Sequence, residues 1–142
     1  MIGGQILDLS FEKEKPDAQK LQDMYMRKTG ALLIAAASIG CIAAGKYDEE
    51  TLKSATKYAY NLGLAFQIID DILDISGDEK LLGKPIGSDA VSGKVTYASL
   101  NGIDKSREFA RKLTEEALEM LDEFENNELL KELTRYLLNR DY

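Results

Sequence analysis

Phe66-Gln67-Ile68-Ile69-Asp70-Asp71-Ile72-Leu73-Asp74 sets three aspartates into a long and largely apolar segment of the chain. The surrounding run, roughly Glu49 to Ser76, contains no proline and reads as one long helix, on which Asp70 and Asp74 stack one turn apart. Asp71 and Gln67 flank them. These four polar side chains fall in a sector about 100° wide, while Leu62, Ala65, Phe66, Ile69, Ile72 and Leu73 occupy the opposite side. The expectation is a helix with one carboxylate stripe and one core stripe.

Such a stripe is unfavourable if left alone. Like charges at i,i+4 cost roughly 0.2 to 0.5 kcal/mol. Carboxylates in the last turns of a helix, here just before Gly77, oppose its macrodipole by roughly 0.3 to 1 kcal/mol each. A hard divalent cation is the natural counter-charge. Mg²⁺ takes one or two carboxylates, keeps several waters, and completes its octahedron with phosphate oxygens. The plainer alternative is a solvated acidic face.

The whole chain bounds the remaining possibilities. Its 142 residues, 44% of them hydrophobic, suit one domain with a substantial core. A net charge of −7, without a basic run interleaved with aromatics, argues against nucleic acid or an anionic membrane as the main partner. Cys41 is the one cysteine, so the chain has no disulfide framework of its own and a reducing compartment is expected. The sequence shows no signal-peptide pattern, and a cytoplasmic location is expected. The uncharged stretch from Thr29 to Gly45, rich in Ala, Gly and Ser, is short for a membrane span and reads as a buried helix.

Strand patterns of any length are lacking, which makes the expected fold all-α. Met1 to Leu9 reads as a first helix, with Gln5 and Asp8 three apart on one face. Ser10 to Pro16 is a charged connection, and a second helix starts near Asp17. Lys28-Thr29-Gly30 marks a break or bend before the Ala-rich helix, Gly45-Lys46 a stop, and Asp48 a new N-cap. After Ser76, Gly77, Gly83, Pro85, Gly87 and Gly93 puncture a loop of about twenty residues, a length that in compact domains usually serves function. Beyond it, Tyr97 to Leu100 reads as a short turn, followed by helices over Asp104 to about Phe124 and Glu128 to about Arg140.

Within the loop, Gly83-Lys84-Pro85-Ile86-Gly87-Ser88-Asp89 and then Ser92-Gly93-Lys94 place two lysines on glycine-rich backbone. The order of residues does not fit a Walker A motif. In so acidic a chain, lysines directly after a carboxylate cluster suit a phosphate site, as point charges facing metal-bound oxygens.

Five segments together carry a family resemblance: Gly4-Gln5-x-x-Asp8, Lys28-Thr29-Gly30-Ala31-Leu32, Phe66-Gln67-x-x-Asp70-Asp71-x-x-Asp74, Gly83-Lys84-Pro85-x-Gly87-Ser88-Asp89, and Gly93-Lys94-x-Thr96-Tyr97. In order and spacing the chain resembles the trans-isoprenyl diphosphate synthases, with farnesyl and geranylgeranyl diphosphate synthases the nearest types. The resemblance covers nearly the whole chain, the closing helices only in general character. It implies a helical bundle corresponding to part of the isoprenoid synthase fold, and Mg²⁺-dependent condensation of isopentenyl diphosphate with an allylic diphosphate. By that likeness Asp70, Asp71 and Asp74 form the second Asp-rich motif and bind metal, Asp70 foremost. Lys28, Lys84 and Lys94 hold the allylic diphosphate, Thr29 and Gln67 line the reaction centre beside Lys28, and Gln5 with Asp8 orients the site.

The same likeness places Met1 about where the C-terminal half of a full synthase begins. The first Asp-rich motif has no counterpart in this sequence, and the chain alone is expected to be inactive. A homodimer or other self-association is expected, with no nucleic-acid partner and no membrane span. The alternative reading is a non-catalytic helical partner subunit of a complete prenyl synthase.

Overall fold

The computed structural model describes residues 1–76 and 87–138, and among these the regular structure is entirely helical. Helices α1 (Ile2–Ser10) and α2 (Ala18–Tyr25) are followed by a π-helical turn, Met26–Gly30, that runs directly into α3 (Ala31–Ala43). Then come α4 (Glu49–Ser76), a single turn α5 (Ser88–Val91), α6 (Tyr97–Asn101), α7 (Ile103–Leu121) and α8 (Glu128–Leu138).

Local chemistry explains most of these boundaries. Asp17 caps α2 by accepting from the Lys20 amide at 2.8 Å, and Asp48 caps α4 by accepting from the Thr51 amide at 2.9 Å. Glu49 and Glu50 in the first turn of α4 complement its macrodipole. Thr96 and Ser99 form a reciprocal capping box at the start of α6. Gly45, with φ of +73°, ends the α3 segment in the left-handed conformation that glycine adopts freely, as the sequence leads one to expect.

Two local expectations are corrected. Lys28-Thr29-Gly30 is not a break: the Ala31 amide donates to the Met26 carbonyl five residues back, and the helix continues through the bulge. The loop after Ser76 contains a helical turn, α5, within its described part.

Helix α4 is the centre of the bundle. It packs chiefly against α7 and α3, and also meets the π-turn, α6, α8 and α2. Leu64, Ala65 and Ile68 of α4, Leu21 of α2, and Ala117 and Leu121 of α7 are fully or almost fully buried in one core. Polar groups of α4 inside the bundle have partners. Ser54 donates to Glu123 at 2.6 Å, Asn61 to Glu116 at 3.2 Å, and the Tyr58 and Thr134 hydroxyls lie 3.0 Å apart.

The Ala-rich helix departs from its sequence reading. None of the thirteen residues of α3 is buried, and Leu32, Ile39 and Ile42 face outward. Apolar composition alone does not bury a helix; neighbours on every side do, and α3 is covered mainly by α4 and the π-turn. The continuous helix Ala18–Ala43 is long and apolar enough to cross a membrane by length and composition, although its first turns carry Lys20, Asp23, Arg27 and Lys28.

Candidate functional site

The π-turn lies between α1 and α4 and sends two adjacent side chains to different helices. Lys28 Nζ reaches Asp8 Oδ2 of α1 at 2.6 Å, and Thr29 donates its hydroxyl to Gln67 Oε1 of α4 at 2.9 Å. One extra residue in the turn rotates the following backbone relative to an α-helix, a device common at functional sites. Lys94, just before α6, stands 3.8 Å from the same Asp8 oxygen and 3.9 Å from Asp89 Oδ1. Asp8 thereby gathers two ammonium groups from segments distant in the sequence.

These groups surround a cavity of about 150 Å³ lined by Asp8, Met24, Tyr25, Lys28, Gln67, Asp70, Asp71, Asp89, Lys94, Val95 and Thr96. Its wall carries four carboxylates and two ammonium groups. Such a mixture accommodates a cation beside an anion better than either alone, because each charge then meets its opposite at close range.

The three aspartates of α4 do different things. Asp70 lines the cavity and is partly exposed. Asp71, which is 8% exposed, turns its Oδ2 to the Tyr25 hydroxyl at 2.6 Å and to the Tyr97 amide at 2.9 Å. Asp74, 2% exposed, accepts from the Asp89 amide at 3.0 Å, while its own carbonyl accepts from the Gly87 amide at 2.6 Å. The stripe is therefore not a solvated face. Asp71 ties α4 to α2 and α6, and Asp74 ties it to the start of α5.

Burial dominates the electrostatics of this network. It raises the Asp71 carboxyl to about 7, against the hydrogen bonds from Tyr25 and Tyr97, which lower it; the nearby charges of Asp89 and Asp70 add to the rise. Burial also pushes the Tyr25 hydroxyl far up, reinforced by the charge of Asp71 and by the hydrogen bond to it. Tyr25 thus stays a hydroxyl donor at ordinary pH. Tyr97, stacked on Phe109 with ring centroids 5.4 Å apart, is raised by burial as well.

Of the residues singled out in the sequence, the structure brings Asp8, Lys28, Gln67, Asp70, Asp71 and Lys94 to one cavity, with Thr29 bonded to its Gln67 wall. Gln5 is exposed and does not line it, and Asp74 acts from behind it. Lys84 lies outside the described residues. Sequence reasoning missed Tyr25 and the role of Asp89. Tyr25 stands one helical turn before Lys28, which is a usable signal, but its hydrogen-bond partner is 46 residues away.

As to metal, among the described residues no cluster of three or more His, Cys, Asp or Glu side chains is suited to hold an ion. The donor set is nevertheless all hard oxygen, with Asp70, Asp89 and Gln67 on the cavity wall. That fits an ion such as Mg²⁺, which needs only one or two carboxylates when a phosphate supplies the remaining oxygens.

The architecture is the all-α isoprenoid synthase fold. Heptaprenyl diphosphate synthase from Staphylococcus aureus superposes on 99% of this chain with a TM-score of 0.89, at 23% identity and over 56% of its own length. The chain belongs to the polyprenyl synthetase family, whose sequence profile matches residues 1–137. It is 39% identical to farnesyl diphosphate synthase of Escherichia coli over 145 aligned positions, covering 99% of this chain and 48% of that one. A geranyltransferase from Helicobacter pylori, solved in complex with magnesium and isoprenyl diphosphate, is 35% identical with a TM-score of 0.79 over 98% of this chain and 46% of its own. The chain spans less than half the length of the curated relatives it matches, between 34% and 48%.

Proposed function

We propose that this chain supplies one Mg²⁺ and diphosphate half-site of a prenyltransferase that condenses isopentenyl diphosphate with an allylic diphosphate. The observation that carries the reading is the single cavity where Lys28, Lys94 and Asp70 converge from three separate segments. In this proposal Asp70 is the principal metal ligand, with Asp71 and Asp74 completing the motif by holding α2, α5 and α6 around it. Lys28 and Lys94, joined by Lys84, bind oxygens of the allylic diphosphate as point charges. Asp8 holds Lys28 in place, and Gln5 acts with Asp8 from the outer side of α1. Thr29 and Gln67 line the reaction centre, where their fixed dipoles face the charge that develops on the allylic carbon. Mg²⁺, when bound, neutralises charge on the departing diphosphate.

Catalysis of this kind depends on cations positioned before the bond breaks. Losing one preorganised electrostatic contact costs on the order of 3 kcal/mol in barrier, and losing the positioning of a second reactant as much as roughly 7 to 11 kcal/mol. The 142-residue chain by itself is accordingly expected to bind without turnover. The outward apolar faces of α1 and α3, with Ile2, Ile6, Leu32, Ile39 and Ile42 exposed, support self-association such as a homodimer. They equally suit a role as a helical partner of a complete synthase. The single cysteine suits the cytoplasm.

Calorimetry with inorganic diphosphate tests the half-site directly. Mg²⁺ should bind weakly alone and much more tightly with diphosphate present; Asp70→Ala should abolish the gain, and Lys94→Ala should reduce it. Lys112→Ala, whose side chain on α7 is 70% exposed, should change nothing. Equal Mg²⁺ affinity with and without diphosphate, or an undiminished gain in Asp70→Ala, would overturn the half-site. Diphosphate binding with intact motifs also separates this reading from the non-catalytic partner, which has no use for the site.

A further inference from the structure

Gly4 and Asp8 are the two buried residues of α1, one turn apart on the face that meets the π-turn. At Asp8 the contact is the 2.6 Å pair with Lys28. At Gly4 it is backbone against backbone. A Cβ on Gly4 would stand 2.5 Å from Lys28 Cα, 2.7 Å from the Arg27 carbonyl carbon, and closer still to the Lys28 nitrogen. Main chain cannot rotate out of the way as a side chain does, so a methyl group there forces α1 and the turn apart by the order of an ångström.

The far side of the turn is held in a similar but gentler way. A Cβ on Gly63 of α4 would lie 3.2 Å from Gly30 Cα and 3.2 Å from Leu33 Cδ1. At Gly30 itself the added atom would meet the end of the Met26 side chain, a flexible group that yields more readily than main chain. The segment carrying Lys28 and Thr29 is therefore gripped between two helices at glycines, most tightly at Gly4.

We propose that Gly4, backed by Gly63, is a positioning residue of the diphosphate half-site: it sets the separation of α1 from the π-turn at which Asp8 can hold the Lys28 ammonium beside Lys94 and Asp70. Its role at that site rests on the functional reading above. A shift of an ångström is enough to take the Asp8–Lys28 pair out of hydrogen-bond range, and the lysine then follows its own rotamers rather than the carboxylate.

The test compares Gly4→Ala with Gly3→Ala, where the added methyl meets nothing within 4 Å. A double-mutant cycle in urea denaturation, built from Asp8→Ala and Lys28→Ala, measures the coupling of the pair in each background. Calorimetry measures affinity for inorganic diphosphate with Mg²⁺. Gly4→Ala should keep its helical circular dichroism, lose the coupling and bind diphosphate at least tenfold more weakly; Gly3→Ala should match the parent. Asp8→Glu, one methylene longer, should restore part of both losses in Gly4→Ala, a rescue that a merely destabilising substitution would not show. If Gly4→Ala fails to fold, Gly63→Ala carries the test from the other side, with a smaller loss of coupling and affinity.

Full coupling in folded Gly4→Ala, or losses that Asp8→Glu leaves untouched, would overturn the proposal, as would an unchanged Gly63→Ala beside an unfolded Gly4→Ala. Absence of diphosphate binding in the parent chain would instead overturn the functional reading, while the coupling measurement would still report on Gly4.

Discussion

Helices α3 and α4 lie side by side and invert what their compositions suggest. Helix α3 carries no charge and buries none of its residues, whereas α4 carries three aspartates near its end and buries half of its 28 residues, Asp71 and Asp74 among them. The difference is one of surroundings. Helix α4 meets α2, the π-turn, α3, α6, α7 and α8, leaving Glu49, Lys53, Lys57 and Tyr60 as its exposed face, and each buried polar group on it discussed above meets a partner: Tyr25 and Tyr97 for Asp71, the Asp89 amide for Asp74, Thr134 for Tyr58. Helix α3 has its main neighbours on one side. Burial in this chain follows position in the bundle, and polarity is tolerated inside wherever a hydrogen bond is available.

The largest effect expected from this contrast is in side-chain truncation. Ile68→Ala on α4, at 0% exposure, should cost about 2 to 5 kcal/mol in urea denaturation, from lost burial plus the cavity left behind. Ile39→Ala on α3, at 64% exposure, should stay within about 0.5 kcal/mol. Similar losses at the two positions would break the comparison and show α3 to be covered in solution.

A smaller effect concerns the polar interior. Asp71→Ala leaves the Tyr25 hydroxyl without its acceptor and the Tyr97 amide with the Tyr25 oxygen alone, at 3.1 Å, and should destabilise by about 1 to 3 kcal/mol. Tyr25→Phe should cost less, because Asp71 keeps the Tyr97 amide. Were Asp71→Ala neutral to unfolding, the tie from α4 to α2 and α6 would be dispensable.

The subtlest expectation is a pH dependence. In the unfolded chain Asp71 ionises near its ordinary value of 3.8, but in the fold burial raises it to about 7, so the folded state retains the proton where the unfolded state has released it. Its contribution to stability is present below about 4 and is lost as pH rises to about 7. In metal-free buffer with a chelator, the urea midpoint of the parent should therefore fall between pH 4.5 and 7.5 more than that of Asp71→Asn, which has no carboxyl to titrate. Parallel profiles for the two proteins would mean that Asp71 ionises as an exposed carboxylate does.

Much of the fold was legible because it is local. The proline-free run with Asp48 ahead of it and Gly77 behind it predicts α4 over the range observed, and Asp17, Gly45 and Thr96 mark ends that depend on bonds only a few residues long. The motifs that gather at the cavity were legible too, since Asp8, Lys28, Gln67, Asp70 and Lys94 stand in order along the chain. Their division of labour was not. The spacing of Asp70, Asp71 and Asp74 is the same whether they share one ion or separate, and what engages Asp71 Oδ2 at the cavity wall is a tyrosine 46 residues earlier.

The sequence by itself determined the helical class, the ends of the main helices and the family, because caps, periodicity and motif order are properties of neighbouring residues. Only the tertiary structure decided that Lys28 and Thr29 sit on a π-turn, that Gln5 faces outward, that α3 is exposed, and that Gly4 touches the backbone of Lys28. Each of these depends on which segment lies opposite. That is set by packing between helices distant in the chain, and one sequence read along its length carries no record of distance across the bundle.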